Sequence, residues 1–341
     1  MAIGSGPLNQ RQQILALSGG GYRGLFAASI LEELEARAGC PLKSRFNVLA
    51  GTSIGALLAA GIACGVPASK MAAAFRGHGE QIFDRSVWIL GRKMPWNRTA
   101  LGLVRSRYSP VGLEAVARKI LGPAADAPIR DLAMPLLVVA TNRQHRRAAI
   151  FRSWEGPAAE FAKATLLQAV MASAAAPTYF PDQRVCGSSL IDGGIIANAP
   201  DLIALIEWIS FKGALIEECD ILSLGTAGGV RRGSPQAQTG HGTLGSMLPT
   251  RFGGLDLFGV TLAAQQELTI EACAKLLGSR HVRIDVTPTE KEEAILGLDR
   301  TAPNATDLLD TLGKRALLQL RVDQQLVVSG MLRSEPKTTT V

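Results

Sequence analysis

The sequence predicts an α/β protein: a three-layer sandwich with a mostly parallel central sheet, helices on both faces, and a cap or insertion on one side. Three observations carry this expectation. Short apolar runs suited to buried strands alternate along the chain with longer runs of helical periodicity. Twice, at residues 18–24 and 51–55, a glycine-rich turn joins such a strand directly to such a helix. The run Leu136 to Ala140 is apolar at every position, as a strand covered on both faces has to be.

The elements follow in order. Ile14 to Leu17 reads as the first buried strand, and Leu25 to Ala38 as a helix with Leu25, Ile30, Leu31 and Leu34 inward and Glu32, Glu33 and Glu35 outward. Between them lies Ser18-Gly19-Gly20-Gly21-Tyr22-Arg23-Gly24. Gly19, Gly21 and Gly24 satisfy Gly-x-Gly-x-x-Gly, so a dinucleotide loop is one reading. A ribose-binding acid would then fall near Lys43 and Ser44, where none stands, and no Gly-Lys-Ser/Thr makes a P-loop. The preferred reading is an oxyanion hole formed by Gly19, Gly20, Gly21, Arg23 and Gly24, whose backbone N–H groups can approach a reacting carbonyl closely. Arg23 either braces that loop or meets a phosphate.

The stretch Val48 to Ala60 carries the strongest signal. An apolar strand runs into Gly51-Thr52-Ser53-Ile54-Gly55, and an alanine-rich helix follows at once. Gly-x-Ser-x-Gly between strand and helix is a nucleophile elbow: Gly51 and Gly55 allow the tight turn, and Ser53 is thrust out at the sheet's C-terminal edge. The next helix points its N-terminal amides at the same place.

Residues 67–122 read as a cap-like insertion. Within it Trp88, Trp96, Arg98, Arg105, Arg107 and Tyr108 mix aromatic and basic groups, so they are candidates to stack on and neutralise a nucleotide or to lie on anionic lipid. The alternative is a loop-rich cap with anchoring aromatics. After the Leu136 strand, Arg143, Arg146 and Arg147 suggest a solvated hairpin leading to a partner strand at Ala148 to Phe151. Glu160 to Ala174 is expected to be one helix, with Phe161, Leu166, Leu167, Val170 and Met171 buried. A further strand ends in Asp192-Gly193-Gly194, either a simple turn or a placed carboxylate with close backbone approach. Asp201 to Ser210 reads as a helix and Ile221 to Thr226 as a strand. Residues 227–259 read as a flexible Gly-rich loop and candidate lid, 260–333 as a C-terminal helical region with a strand near Val282 to Val286, and 334–341 as a disordered tail.

Composition sets the bounds. The 341 residues are 47% hydrophobic, enough for a large core. The longest apolar run, Ile54 to Cys64, is too short to span a bilayer, and Met1 to Gln13 shows no signal-peptide core. Cys40, Cys64, Cys186, Cys219 and Cys273 are scattered, which suits reduced thiols in the cytoplasm and no metal site. The net charge of +7 suits an anionic partner such as a phospholipid surface or a nucleotide, or simply solubility.

A serine nucleophile needs a base, and the chain has only His78, His145, His241 and His281. His281 falls late enough for a Ser-His-Asp arrangement. The more economical reading pairs Ser53 directly with Asp192. Glycine loop, elbow and Asp-Gly-Gly, in that order over residues 12–226, resemble the patatin-like phospholipase family, as do Ala174-Ala175-Ala176-Pro177 and Ile221 to Thr226. The resemblance implies lipid acyl-ester hydrolysis by a Ser53–Asp192 dyad, with Gly20 and Gly21 among the oxyanion donors, no metal, and no DNA or RNA partner. Residues 260–266 and 298–319 are similar, more narrowly, to the patatin-type effectors of bacterial CBASS anti-phage signalling. That likeness implies activation by a cyclic dinucleotide such as 3′,3′-cyclic GMP–AMP and degradation of membrane phospholipid. The protein would then be cytoplasmic, acting peripherally at the inner membrane surface, with a homo-oligomer among its possible states.

Overall fold

The computed structural model describes residues 11–83, 86–89, 92–95, 106–156, 158–229 and 257–334. Its centre is an eight-stranded sheet of order β10-β9-β1-β2-β5-β8-β7, with β6 on the free edge of β5. The strands are β1 (Gln12–Leu17), β2 (Val48–Thr52), β5 (Leu136–Asn142), β6 (Arg147–Arg152), β7 (Gln183–Val185), β8 (Ser188–Asp192), β9 (Cys219–Leu224) and β10 (His281–Ile284). From β10 through β5 every pairing is parallel; β6, β8 and β7 are antiparallel additions.

Strand periodicity divides the core into two layers. In β1, Leu15 and Leu17 face one side and Ile14 and Ala16 the other; in β5, Leu136, Val138 and Ala140 oppose Leu137 and Val139. The larger layer holds α1 (Gly24–Ala38), α2 (Ile54–Ala63), α3 (Ala68–Ile82), α4 (Pro110–Leu121), α5 (Leu166–Ser173), α10 (Pro303–Leu318) and α11 (Val322–Arg333). The other is covered by α7 (Asp201–Lys212) and α8 (Leu257–Leu277), where Trp208, Cys273 and Leu277 are buried. Two short helices, α6 (Gly194–Ala197) and α9 (Glu290–Ile295), lie beside the sheet's C-terminal edge. The three-layer architecture is as the sequence predicts, with helices on both faces.

Several local expectations change. The helix expected over Glu160–Ala174 begins at Leu166, because Thr165 caps it: its Oγ1 accepts from the Gln168 N–H at 3.1 Å while Gln168 Oε1 accepts from the Thr165 N–H at 2.9 Å. Phe161 is still buried, packed on Phe151 at a centroid distance of 4.6 Å, but from an irregular segment. Residues 67–122 do not stand apart as a cap throughout. Met71 and Phe75 of α3 and Leu113 and Val116 of α4 belong to the same core as α1 and α2. A two-stranded hairpin, β3 (Ser86–Ile89) with β4 (Arg92–Pro95), occupies the middle of that stretch. The strand expected to reach Val286 ends at Ile284, and the helix expected from Val260 starts at Leu257. Most of the 227–259 loop, and the tail beyond Ser334, lie outside the described residues. Among the described residues no helix is long and apolar enough to cross a membrane.

Candidate active site

Strand register brings the site together. β6 occupies one edge of β5, and the other edge is shared end to end by β2 and β8. Thr52, the last residue of β2, pairs with Val139; Asp192, the last residue of β8, pairs with Ala140. Ser53 follows Thr52, so the hydroxyl and the carboxylate emerge side by side from strands of opposite direction.

Ser53 turns the chain at φ 54°, ψ −123°, a strained backbone for a residue with a side chain. Its surroundings hold it there. The Ser53 N–H donates to Ser173 Oγ at 2.7 Å, and the Ser173 hydroxyl donates to Val139 O at 2.5 Å. Thr52 Oγ1 donates to Ala197 O at 2.7 Å. The flanking glycines are close approaches: a Cβ on Gly51 would sit 2.4 Å from Gly55 O, and one on Gly55 would sit 2.2 Å from Leu17 O. Gly55 is thus the point where the elbow helix meets the end of β1.

Ser53 Oγ donates to Asp192 Oδ2 at 2.7 Å, and Asp192 Oδ1 accepts from the Gly194 N–H at 2.7 Å. Both side chains are buried. Burial pushes the Asp192 carboxyl up to about 6 from the usual 3.8, against the two hydrogen bonds, which favour the charged form. The Gly193 N–H is taken by Ser173 O at 3.1 Å, so the Asp-Gly-Gly turn is tied to the same serine as the elbow.

The glycine loop lies across from the pair. Gly19, Gly20, Gly21 and Arg23 line the same cavity as Ser53 and Asp192. Gly24 does not: it opens α1 and packs on Ile54, and its N–H is turned back to the Gly21 and Tyr22 carbonyls. The Gly19, Tyr22 and Arg23 N–H groups donate to Asn198 O (2.9 Å), Leu298 O (2.8 Å) and Gly20 O (3.2 Å). The Gly20 and Gly21 N–H groups have no partner among the described residues. Arg23 braces the loop, as one of its two readings has it, with Nε to Thr226 O at 3.0 Å and Nη1 to Glu293 at 3.1 Å.

The cavity has a volume of about 520 Å³. Ile82, Phe83, Leu113, Phe180, Val260, Leu262 and Leu298 give it apolar lining, while Arg23, Asn198, Thr226, Gln266 and Glu293 are among its polar groups. An apolar trough ending at a polar centre accepts an amphiphile.

No histidine among the described residues lines it. His281 is buried on β10, its Nε2 2.8 Å from Asp201 Oδ1, and His78 lies against Lys119. The Ser53–His281 alternative is therefore ruled out by position. No group of three or more metal-ligating side chains occurs among the described residues. Of the aromatic and basic candidates, Tyr108 is buried in a cluster with Phe83, Tyr179 and Phe180, its hydroxyl donating to Asp299 at 2.5 Å. It is an anchoring aromatic with no face left for a base to stack on. Arg107 spans Asp299 at 3.2 Å and the Tyr179 ring at 5.0 Å. Trp96, Arg98 and Arg105, and the Trp88 side chain, lie outside the described residues. Sequence reasoning missed Ser173 and Asn198, which carry no motif of their own.

The chain is similar to known proteins over most of its length. Residues 15–205 match the model of the patatin-like phospholipase family. A cGAMP-activated phospholipase of Pseudomonas aeruginosa is 33% identical over 314 residues, covering 89% of this chain and 87% of that protein. A protein of the same description from Vibrio cholerae is 30% identical, covering 76% of each. A cUMP-AMP-activated phospholipase of Escherichia coli is 29% identical over 57% of this chain and 58% of its own length. Matched over more than half its length by the family model and over most of it by a relative one third identical, the chain belongs to the patatin-like phospholipases, hydrolases of lipid ester bonds.

Proposed function

We propose that Ser53 and Asp192 are the catalytic dyad of a phospholipid acyl hydrolase. The observation that carries this is the 2.7 Å hydrogen bond from Ser53 Oγ to Asp192 Oδ2 at the floor of a largely apolar cavity. Asp192 takes the Ser53 proton as the hydroxyl attacks the ester carbonyl, and the Gly20 and Gly21 N–H groups receive the developing oxyanion. The proton passes to the departing lysolipid oxygen. Water, deprotonated by Asp192, then attacks the acyl-enzyme and frees the fatty acid. A carboxyl with a pKa near 6 suits this double role, since it is ionised at neutral pH yet basic enough to accept a proton. No metal takes part in these steps.

The finer reading is that a cyclic dinucleotide, 3′,3′-cyclic GMP–AMP or a relative of it, switches the enzyme on to degrade membrane phospholipid in anti-phage defence. Two relatives named cGAMP-activated, aligned over three quarters or more of this chain, support it. The net charge of +7 supports action at an anionic membrane surface. The test is hydrolysis of a fluorogenic phospholipid in anionic vesicles by wild type, Ser53→Ala and Asp192→Asn, with and without a panel of cyclic dinucleotides. Loss of activity in both variants and stimulation by one nucleotide are expected. Full activity in both variants overturns the dyad. Equal wild-type rates across the panel overturn gating and leave a constitutive hydrolase. If Ser53 resists a fluorophosphonate probe while the chain binds nucleotide tightly, it is a nucleotide-binding module instead.

A further inference from the structure

Backbone donors on glycines have to be aimed by something else, because glycine backbones resist rotation least. We propose that Thr226 and Asn198 are positioning residues that aim the Gly20 N–H at the substrate carbonyl; this rests on the dyad reading above. The Gly19 carbonyl and the Gly20 N–H belong to one planar trans peptide unit and point in opposite directions. Whatever holds the carbonyl fixes the amide.

The Gly19 carbonyl is held from two sides. Thr226 Oγ1 donates to it at 3.1 Å and Asn198 Nδ2 at 3.4 Å. Asn198 also accepts the Gly19 N–H on its own backbone carbonyl at 2.9 Å, so it grips both ends of that residue. The shorter contact makes Thr226 the principal anchor and Asn198 the second. Each anchor is itself held. The Thr226 carbonyl accepts from Arg23 Nε at 3.0 Å, which links the end of β9 back to the loop. The Asn198 amide donates to Gln266 Oε1 at 2.5 Å, and its N–H donates to Gln265 Oε1 at 3.0 Å, which links the grip to α8.

The opposite end of the peptide is open. The Gly20 N–H has no partner among the described residues, and Gly20 lines the cavity beside Ser53. A Cβ on Gly19 would lie 3.1 Å from Ser53 Cβ, so the loop is already within reach of the reacting centre. Hydrogen bonds accepted by the Gly19 carbonyl also polarise the peptide and make its N–H a stronger donor. Thr226 is buried, so its hydroxyl meets the Gly19 carbonyl away from solvent.

The experiment compares Thr226→Val, which removes the hydroxyl at constant shape, with Thr226→Ser, which keeps it. Ester hydrolysis, fluorophosphonate labelling rate and thermal melting are read for each, beside Ser53→Ala. Loss of a whole oxyanion donor costs about 10²–10³ in kcat, so a misaimed one predicts a fall of about 10–100-fold in Thr226→Val. KM should stay within about twofold, since the donor acts on the transition state. Labelling should slow in parallel, because the phosphonyl oxygen uses the same donor, and Thr226→Ser should restore most of kcat. An unchanged kcat in Thr226→Val, a rise in KM alone, or failure of Thr226→Ser to restore the rate overturns the proposal, while an inactive Ser53→Ala leaves the dyad standing. An active Ser53→Ala overturns both. If Thr226→Val does not fold, Thr226→Ala is read by the same criteria.

Discussion

Asp192→Asn should slow hydrolysis by orders of magnitude and, at neutral pH, make the protein more stable. The folded Asp192 carboxyl holds its proton up to about pH 6, against 3.8 for the ordinary group. Between those values the folded chain binds more protons than the unfolded one, so stability falls as pH rises through the interval. The rise from 3.8 to about 6 corresponds to about 3 kcal/mol, fully felt above pH 6 and absent below pH 4. The amide can keep both contacts: its oxygen accepts the Gly194 N–H, and its NH2 group donates to Ser53 Oγ, which turns acceptor. Thermal unfolding of wild type and Asp192→Asn across pH 4 to 8 measures the effect. The variant should melt about 5 °C higher at pH 8, the gap should close toward pH 4, and kcat at pH 8 should fall about 10²–10⁴-fold. A gap that does not depend on pH, or a variant less stable at pH 8, would refute the claim that a charge is held there against its solvation.

Other outcomes follow from the same geometry. The acid limb of kcat/KM should report an apparent pKa near 6, with the rate at pH 5 about a tenth of its plateau; a limb below pH 5 would count against Asp192 as the base. Ser173→Ala leaves the Ser53 N–H and the Val139 carbonyl without their shared partner, so it should cost about 1–3 kcal/mol in urea unfolding and lower kcat as the elbow loosens. Gly55→Ala sets a methyl against the Leu17 carbonyl and should destabilise by about 1–3 kcal/mol or more in the same assay.

The two strand–turn–helix units are legible in the sequence because their signals are local. Apolar run, glycine turn and helical stripe follow one another within about thirty residues at 14–38 and again at 48–63. Partnering is another matter. Nothing in Ser188 to Asp192 says that this strand runs antiparallel to β5 and ends where β2 stops. The helix start at Leu166 is written locally, in the Thr165–Gln168 capping box, and Phe161, out of phase with the Leu166–Met171 stripe at a helical repeat, is buried from outside the helix. Ser173 and Asn198 could not be found, since a serine late in a helix and an asparagine two residues before a proline take their meaning from groups far off in the chain, such as Ser53 and Gly19. Tyr108 shows the opposite error: beside arginines it reads as a ligand platform, whereas tertiary packing makes it a rivet between aromatic neighbours.

The end-to-end sharing of one β5 edge has a consequence for any switch acting on this enzyme. The hydroxyl and the acid are not delivered by mobile arms; each is the terminus of a ladder nailed to the same neighbour. Sliding β8 by a single step would throw Asp192 to the far side of the sheet, so the machinery tolerates no intermediate settings there. Control has to fall on approach to the trough or on the amides above it, and an inactive state should still hold the two side chains in contact.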